Sequence, residues 1–143
     1  MVDRAAIVHD VETMYEAYAG AFNHEDIASV VRYIAAPYEM TIGARPVMFA
    51  MTPEDVRHQF DQALAGMKAR GWARSDFKVI QIWPLSDDHA LLMTDIVRYK
   101  ADRSVLEKGR YIYSVHRADP VWQITGVTDV APGYTGPGDF PRT

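Results

Sequence analysis

Ile7, Val11, Met14, Tyr15, Tyr18 and Phe22 recur at spacings of three and four, which places them on one face of a helix. Asp10, Glu12 and Glu16 fall mostly off that face, and Asn23 marks its end. Ile27, Val30, Val31 and Ile34 repeat the period and predict a shorter second helix that Pro37 stops. "YEMTIG" and "PVMFAM" then read as two short extended segments around 43–46, a hairpin or a bent strand. "TPED" opens the best-marked helix of the chain. Thr52 is its N-cap, Pro53 its first residue and Asp55 its third, so a negative charge meets the positive end of the helix dipole. Val56, Phe60, Ala63, Leu64 and Met67 form its apolar stripe, and Gly71 ends it after Lys68 and Arg70.

From Ser75 onward the period changes to two. "DFKVIQIWPL", "HALLMTDIVRYK", "SVLEKGRYIYSVHR" and "VWQITGVTDV" read as four long strands. Their connections at 86–88, 101–103 and 118–120 are short enough to demand antiparallel neighbours. The predicted order is helix, short helix, short strands, long helix and four long strands. That order describes an α+β domain in which a strongly curved, mainly antiparallel sheet folds its inner face over three helices. Residues 1–130 form one domain, and 131–143, "APGYTGPGDFPRT", is a Pro/Gly-rich tail without regular structure.

Composition narrows the classes of function. The 143 residues are 48% hydrophobic and 24% charged, the make-up of a soluble globular domain. A net charge of −4 without a basic stripe argues against a nucleic-acid partner. No apolar stretch is long enough to span a bilayer, and "MVDRAAIVHD" is not a signal peptide, so a cytoplasmic protein is expected. The absence of cysteine removes disulfides, thiolate nucleophiles and cysteine-ligated metals.

At this point the chain resembles the NTF2-like or SnoaL-like superfamily, the ketosteroid-isomerase-like α+β cone. The resemblance runs from about Ala6 to Val130. It rests on the element order, on "YAGAFNHEDIASVVRYIAAPYEM", and on Trp122 and Ile124 in the last strand. It implies a cystatin-like cone with an apolar pocket at its wide end, and a homodimer formed through the outer face of the sheet. The superfamily includes isomerases, dehydratases, cyclases, transport factors and assembly domains, so function has to be argued from the pocket.

Three groups of residues are candidates for that argument. His24, Glu25 and Asp26 are adjacent, so they point apart instead of sharing a helix face as ligands at i and i+4 would. Asp26 is placed to cap the helix that begins at Ile27, and the five histidines show no ligand spacing, so no metal is expected. Tyr15, Tyr18 and Tyr38 would bring phenols to an apolar space, where a donor stabilises an oxyanion. By the resemblance, Tyr18 falls where the steroid isomerases carry their enolate-stabilising tyrosine. Asp95 interrupts the apolar row Leu91, Met93, Val97 and Tyr99. Facing inward it would be a carboxylate of raised pKa and a general acid or base; facing outward it would pair with Arg98, Arg110 or Arg117.

The resemblance also carries departures. The isomerase base position falls near Thr41 and Ile42, neither of which abstracts a proton, and the second oxyanion donor position falls near Tyr113. Asp95 and Arg98 do not have the two-residue spacing of the epoxide hydrolases, and no two-histidine dehydratase pattern is present. "GYTGPG" is preceded by no strand and followed by no helix, so it is not a nucleotide loop; Tyr134 or Phe140 would lie over the pocket mouth or a partner subunit.

Three readings stay open. The first is a cofactor-free isomerase, dehydratase or cyclase with Asp95 as acid/base and Tyr18 as hydrogen-bond donor. The second is a non-catalytic pocket for a small apolar molecule, and the third is an interaction module working through the sheet face. The expected lining is Tyr15, Tyr18, Phe22, Tyr38, Met40, Phe60, Leu64 and Tyr113, with Asp95 from the sheet.

Overall fold

The apolar face of the first helix is buried along its length. In the computed structural model, which describes residues 3–137, α1 spans Arg4–Asn23 and buries Ile7, Val11, Met14, Tyr15, Tyr18 and Phe22. Each large side chain removed from water in this way contributes roughly 1.5–3 kcal/mol. Asn23 does more than end the helix. Its amide exchanges two 2.8 Å hydrogen bonds with the backbone of Ser75 and so ties α1 to the sheet.

The second helix is shorter than its period predicts. α2 covers only Ile27–Val30, a 3-10 turn follows at Val31–Tyr33, and β1 begins at Ile34 and runs to Thr41. β-branched residues and the approach to Pro37 both favour extended backbone, which is why the strand starts earlier than the apolar spacing indicates. Pro37 itself sits where the pairing of β1 shifts register between Ile34 and Glu39, a place where a missing N–H is tolerated. β2, Met48–Ala50, pairs antiparallel with β1 as the hairpin reading requires.

α3, Pro53–Ala69, starts on the predicted cap. Thr52 Oγ1 accepts from the Asp55 N–H at 3.1 Å, and Asp55 Oδ2 accepts from the Thr52 N–H at 3.2 Å. The helix ends at Gly71, whose φ of 99° suits a residue without Cβ. β3 (Trp72–Pro84), β4 (His89–Lys100), β5 (Val105–Ala118) and β6 (Val121–Val130) follow, β3 starting three residues before the predicted Ser75.

The six strands form one sheet in the order β2-β1-β6-β5-β4-β3, antiparallel except for the parallel β1/β6 pair. Together these elements are an α+β cone, three helices packed on a curved six-stranded sheet. Strand alternation assigns the two faces. Ala90, Leu92, Thr94, Ile96 and Arg98 of β4 face the helices, while Leu91, Met93, Asp95, Val97 and Tyr99 lie on the outside. Residues 132–136 return along the outer face. Arg110 Nη1 donates to the Tyr134 carbonyl at 2.7 Å, and buried Gly136 lies so close to Trp83 that a Cβ would come within 2.6 Å of its ring. Tyr134 therefore lies on the outer sheet face, and Phe140 falls outside the described residues. No helix among the described residues is long and apolar enough to cross a membrane.

Candidate functional site

The cone leaves a cavity of about 660 Å³ between α1, α3 and the inner face of the sheet. Its walls are assembled from periodic positions. Tyr18 and Phe22 come from α1, Phe60 and Met67 from α3, Tyr38 and Met40 from β1, and Tyr113 from β5. Tyr18, Phe22, Tyr38, Met40, Phe60 and Tyr113, named from sequence, are brought together here. Their rings pack edge-on or tilted, with Tyr18 5.6 Å from Tyr15, 6.2 Å from Tyr113 and 6.5 Å from Phe60.

Three other predicted residues lie elsewhere. Tyr15 is buried against Tyr113, with rings 5.1 Å apart, and lines a separate furrow of about 560 Å³ between α1 and β3. Leu64 belongs to the packed core and does not line the cavity, because α3 turns Phe60, Ala63 and Met67 toward it instead. Asp95 is the larger correction. It lies on the outer face, where Arg110 Nε and Nη2 donate to its two carboxylate oxygens at 2.7 and 2.9 Å. Those hydrogen bonds hold its carboxyl below the ordinary range, opposite to the raised value that an inward-facing general base would have. The expectation failed because both faces of β4 are apolar in sequence, and only helix packing chose between them.

The polar end of the cavity was not anticipated. Arg98 on β4 stands opposite Glu107 on β5, and both line the pocket with Arg70, Arg45 and Tyr111. Arg70, at the end of α3, grips Glu107 with two hydrogen bonds of 2.9 and 3.2 Å. Arg98 makes longer ones, 3.3 Å each from Nη1 to Glu107 Oε1 and to the Tyr111 hydroxyl. Among the described residues its buried Nε finds no acceptor, and Gln59 Oε1, also lining the cavity, is buried and has no partner there either. Gly109 makes the arrangement possible, since a Cβ there would lie 2.8 Å from the Tyr111 hydroxyl. The pair was not legible in the sequence: a hairpin centred on 101–103 would set Arg98 against Leu106, and a register shift between Arg98 and Tyr99 brings it opposite Glu107 instead.

Electrostatics separate the phenols from the carboxylate. Burial pushes the hydroxyls of Tyr15, Tyr18, Tyr38 and Tyr113 above their ordinary range, so near neutrality they are protonated donors. Hydrogen bonding from Arg70, with Arg98 nearby, holds Glu107 low and ionised. The cavity therefore offers neutral donors, cationic donors and one firmly held carboxylate.

The charged trio near the start is a turn and cap. Asp26 accepts from the Ser29 N–H at 3.1 Å and from its hydroxyl at 2.6 Å. Glu25 takes a left-handed φ of 58° and pairs with Lys68, and the His24 ring lies 2.8 Å from the Gly20 carbonyl. His89 and His116 stack across β4 and β5 with centroids 4.9 Å apart, but among the described residues no three His, Cys, Asp or Glu side chains are grouped to hold a metal ion.

Comparison with known proteins agrees with this architecture. A family model described as "NTF2-like protein (DUF6841)" matches residues 9–132. Among solved structures, a ketosteroid isomerase-like protein from Erwinia carotovora atroseptica is 16% identical, with 87% of this chain and 96% of that chain covered at a TM-score of 0.63. A protein of unknown function with a cystatin-like fold from Nostoc punctiforme is 13% identical, with coverage of 93% and 97% and a TM-score of 0.70. An NTF2-like protein of unknown function from Pseudomonas putida is 16% identical, with coverage of 90% and 88% and a TM-score of 0.69. At these identities the likeness is one of fold. A search of curated protein sequences finds no match.

Proposed function

The chain belongs to the NTF2-like protein family DUF6841, and on that premise we propose that its cavity binds a small, mainly apolar molecule without transforming it. The observation that supports this is the composition of the cavity. Aromatic and methionine side chains form the walls, protonated phenols of Tyr18, Tyr38 and Tyr113 lie among them, and the one carboxylate among the described lining residues, Glu107, is held below its ordinary range by Arg70. The proton-transfer reading depended on Asp95, which is held ionised on the far side of the sheet. Tyr18 keeps a role in the proposal as a donor to the ligand.

Methionine methyl NMR tests the proposal, because Met40, Met48 and Met67 line the cavity while Met93 is buried outside it. Titration with 2-naphthamide or decanol should shift the first three methyls saturably and leave Met93 in place. Tyr18→Phe should weaken binding by about 0.5–1.5 kcal/mol, the worth of one hydrogen bond. Uniform shifts at all methyls, or none with either probe, would count against the pocket. We also propose that the outer sheet face, where half-buried Leu91 and Ile112 lie, pairs with a second copy of the chain.

A further inference from the structure

The binding proposal leaves the chemical class of the ligand open, and the polar end of the cavity narrows it. The chain as a whole carries a charge of −4, yet the described residues lining this cavity include three arginines, Arg45, Arg70 and Arg98, against a single carboxylate, Glu107. Arg70 takes up that carboxylate. Its two hydrogen bonds, 2.9 and 3.2 Å, engage both oxygens of Glu107, and Arg98 shares one of those oxygens through a single bond of 3.3 Å. Arg98 is the more buried of the two, its side chain 19% exposed against 53% for Arg70. A guanidinium withdrawn from water into an apolar wall is costly unless a counter-charge meets it. Here the counter-charge is already engaged, and among the described residues Arg98 Nε has no acceptor.

The neighbours of Arg98 lead the same way. Tyr111 accepts from Arg98 Nη1, so its own hydroxyl proton is turned elsewhere. Deeper in the same cavity the protonated phenols of Tyr18 and Tyr113 hydrogen-bond to each other, which leaves one hydroxyl proton between them for a ligand. A guanidinium edge beside phenol donors matches a planar, two-oxygen acceptor, and the aromatic walls match an apolar body attached to it.

Resting on the pocket reading above, we propose that the ligand is an apolar monocarboxylate whose acid group is held by Arg98 at the Glu107 end of the cavity. The body of the molecule lies among Tyr18, Phe22, Tyr38 and Phe60. Glu107 opposes the ligand's charge and limits its affinity, while Arg70 keeps that opposition small.

The test compares acids with neutral molecules of the same shape, using 2-naphthoate against 2-naphthamide and decanoate against decanol. Binding to the full chain at pH 7.5 is read by calorimetry and by the methyls of Met40, Met48 and Met67. Each acid is expected to bind about 10- to 100-fold more tightly than its neutral partner, the range of a charge-assisted contact. Arg98→Met should abolish that preference, bringing each acid to the affinity of its neutral partner or below it. Glu107→Gln should act in the opposite sense and strengthen acid binding several-fold, an effect that a purely structural role for Glu107 would not produce. Should Arg98→Met fail to fold, Arg98→Lys serves in its place and should lower the acid preference without removing it. Equal affinity for acids and neutral partners in the wild type would overturn the carboxylate assignment while the pocket reading stands. Failure of all four probes to shift the cavity methyls would overturn both.

Discussion

Asp95, whose carboxylate meets Arg110 outside the sheet, lies three positions along one strand from Arg98, whose guanidinium lies in the cavity. An odd spacing on a strand turns side chains to opposite faces, so the two cannot serve one site. The environment of Asp95 has a measurable consequence. Because hydrogen bonds from Arg110 hold its carboxyl below the ordinary 3.8, the pair stabilises the fold above that value, and the contribution disappears as pH falls through the lower folded value. Asp95→Asn should therefore cost stability near neutrality. In urea unfolding, the gap to wild type should close between about pH 5 and pH 2. The Asp95 side chain is 36% exposed, so the gap is expected to stay below about 1 kcal/mol. A gap unchanged across that window would contradict the assignment. Acid/base chemistry read from residue types alone led to Asp95. What disqualifies it is a neighbour 15 positions away in the chain.

Among the elements, those with a polar start signal and a long apolar period are the ones the chain announces most clearly. α3 begins on a reciprocal cap between Thr52 and Asp55, and both halves of it are written in "TPED". Thr52→Ala removes the acceptor for the Asp55 N–H and should destabilise the protein by about 1 kcal/mol in chemical denaturation. A loss below a few tenths would show that the first turn of α3 is held by packing alone. α2 shows the opposite case. Its apolar spacing continues to Ile34, but pairing with β6 is non-local and draws Ile34 into β1. A residue that satisfies both periods is assigned by the partner it meets, and Ile34 meets Ile124. The β4/β5 hairpin lies between these cases. Its short connection makes the antiparallel pairing legible, but neither the register shift between Arg98 and Tyr99 nor which side of it faces the helices.

At the scale of the whole molecule, the sheet separates two environments. The inner face holds the cavity; the outer face carries Leu91, Met93 and Ile112 together with the returning segment 132–136. If that outer face pairs with a second copy, sedimentation at micromolar concentration should give twice the 16.1 kDa of one chain. Ile112→Glu should then return the protein to a monomer while the cavity methyls remain in place. A wild-type monomer at 100 µM would remove this part of the proposal. The sequence by itself determined α1, α3, the run of long strands, the caps at Asp26 and Thr52, and an aromatic set on α1, because each depends on residues within a few positions of one another. It also contained Tyr18, Phe22, Tyr38, Met40, Phe60 and Tyr113 at spacings that place them on buried faces. Only the tertiary structure decided that Arg98, and not Asp95, faces the cavity, and that Arg70 from the end of α3 takes up Glu107. Those choices depend on which face of an apolar strand the helices cover, and local periodicity is the same for either answer.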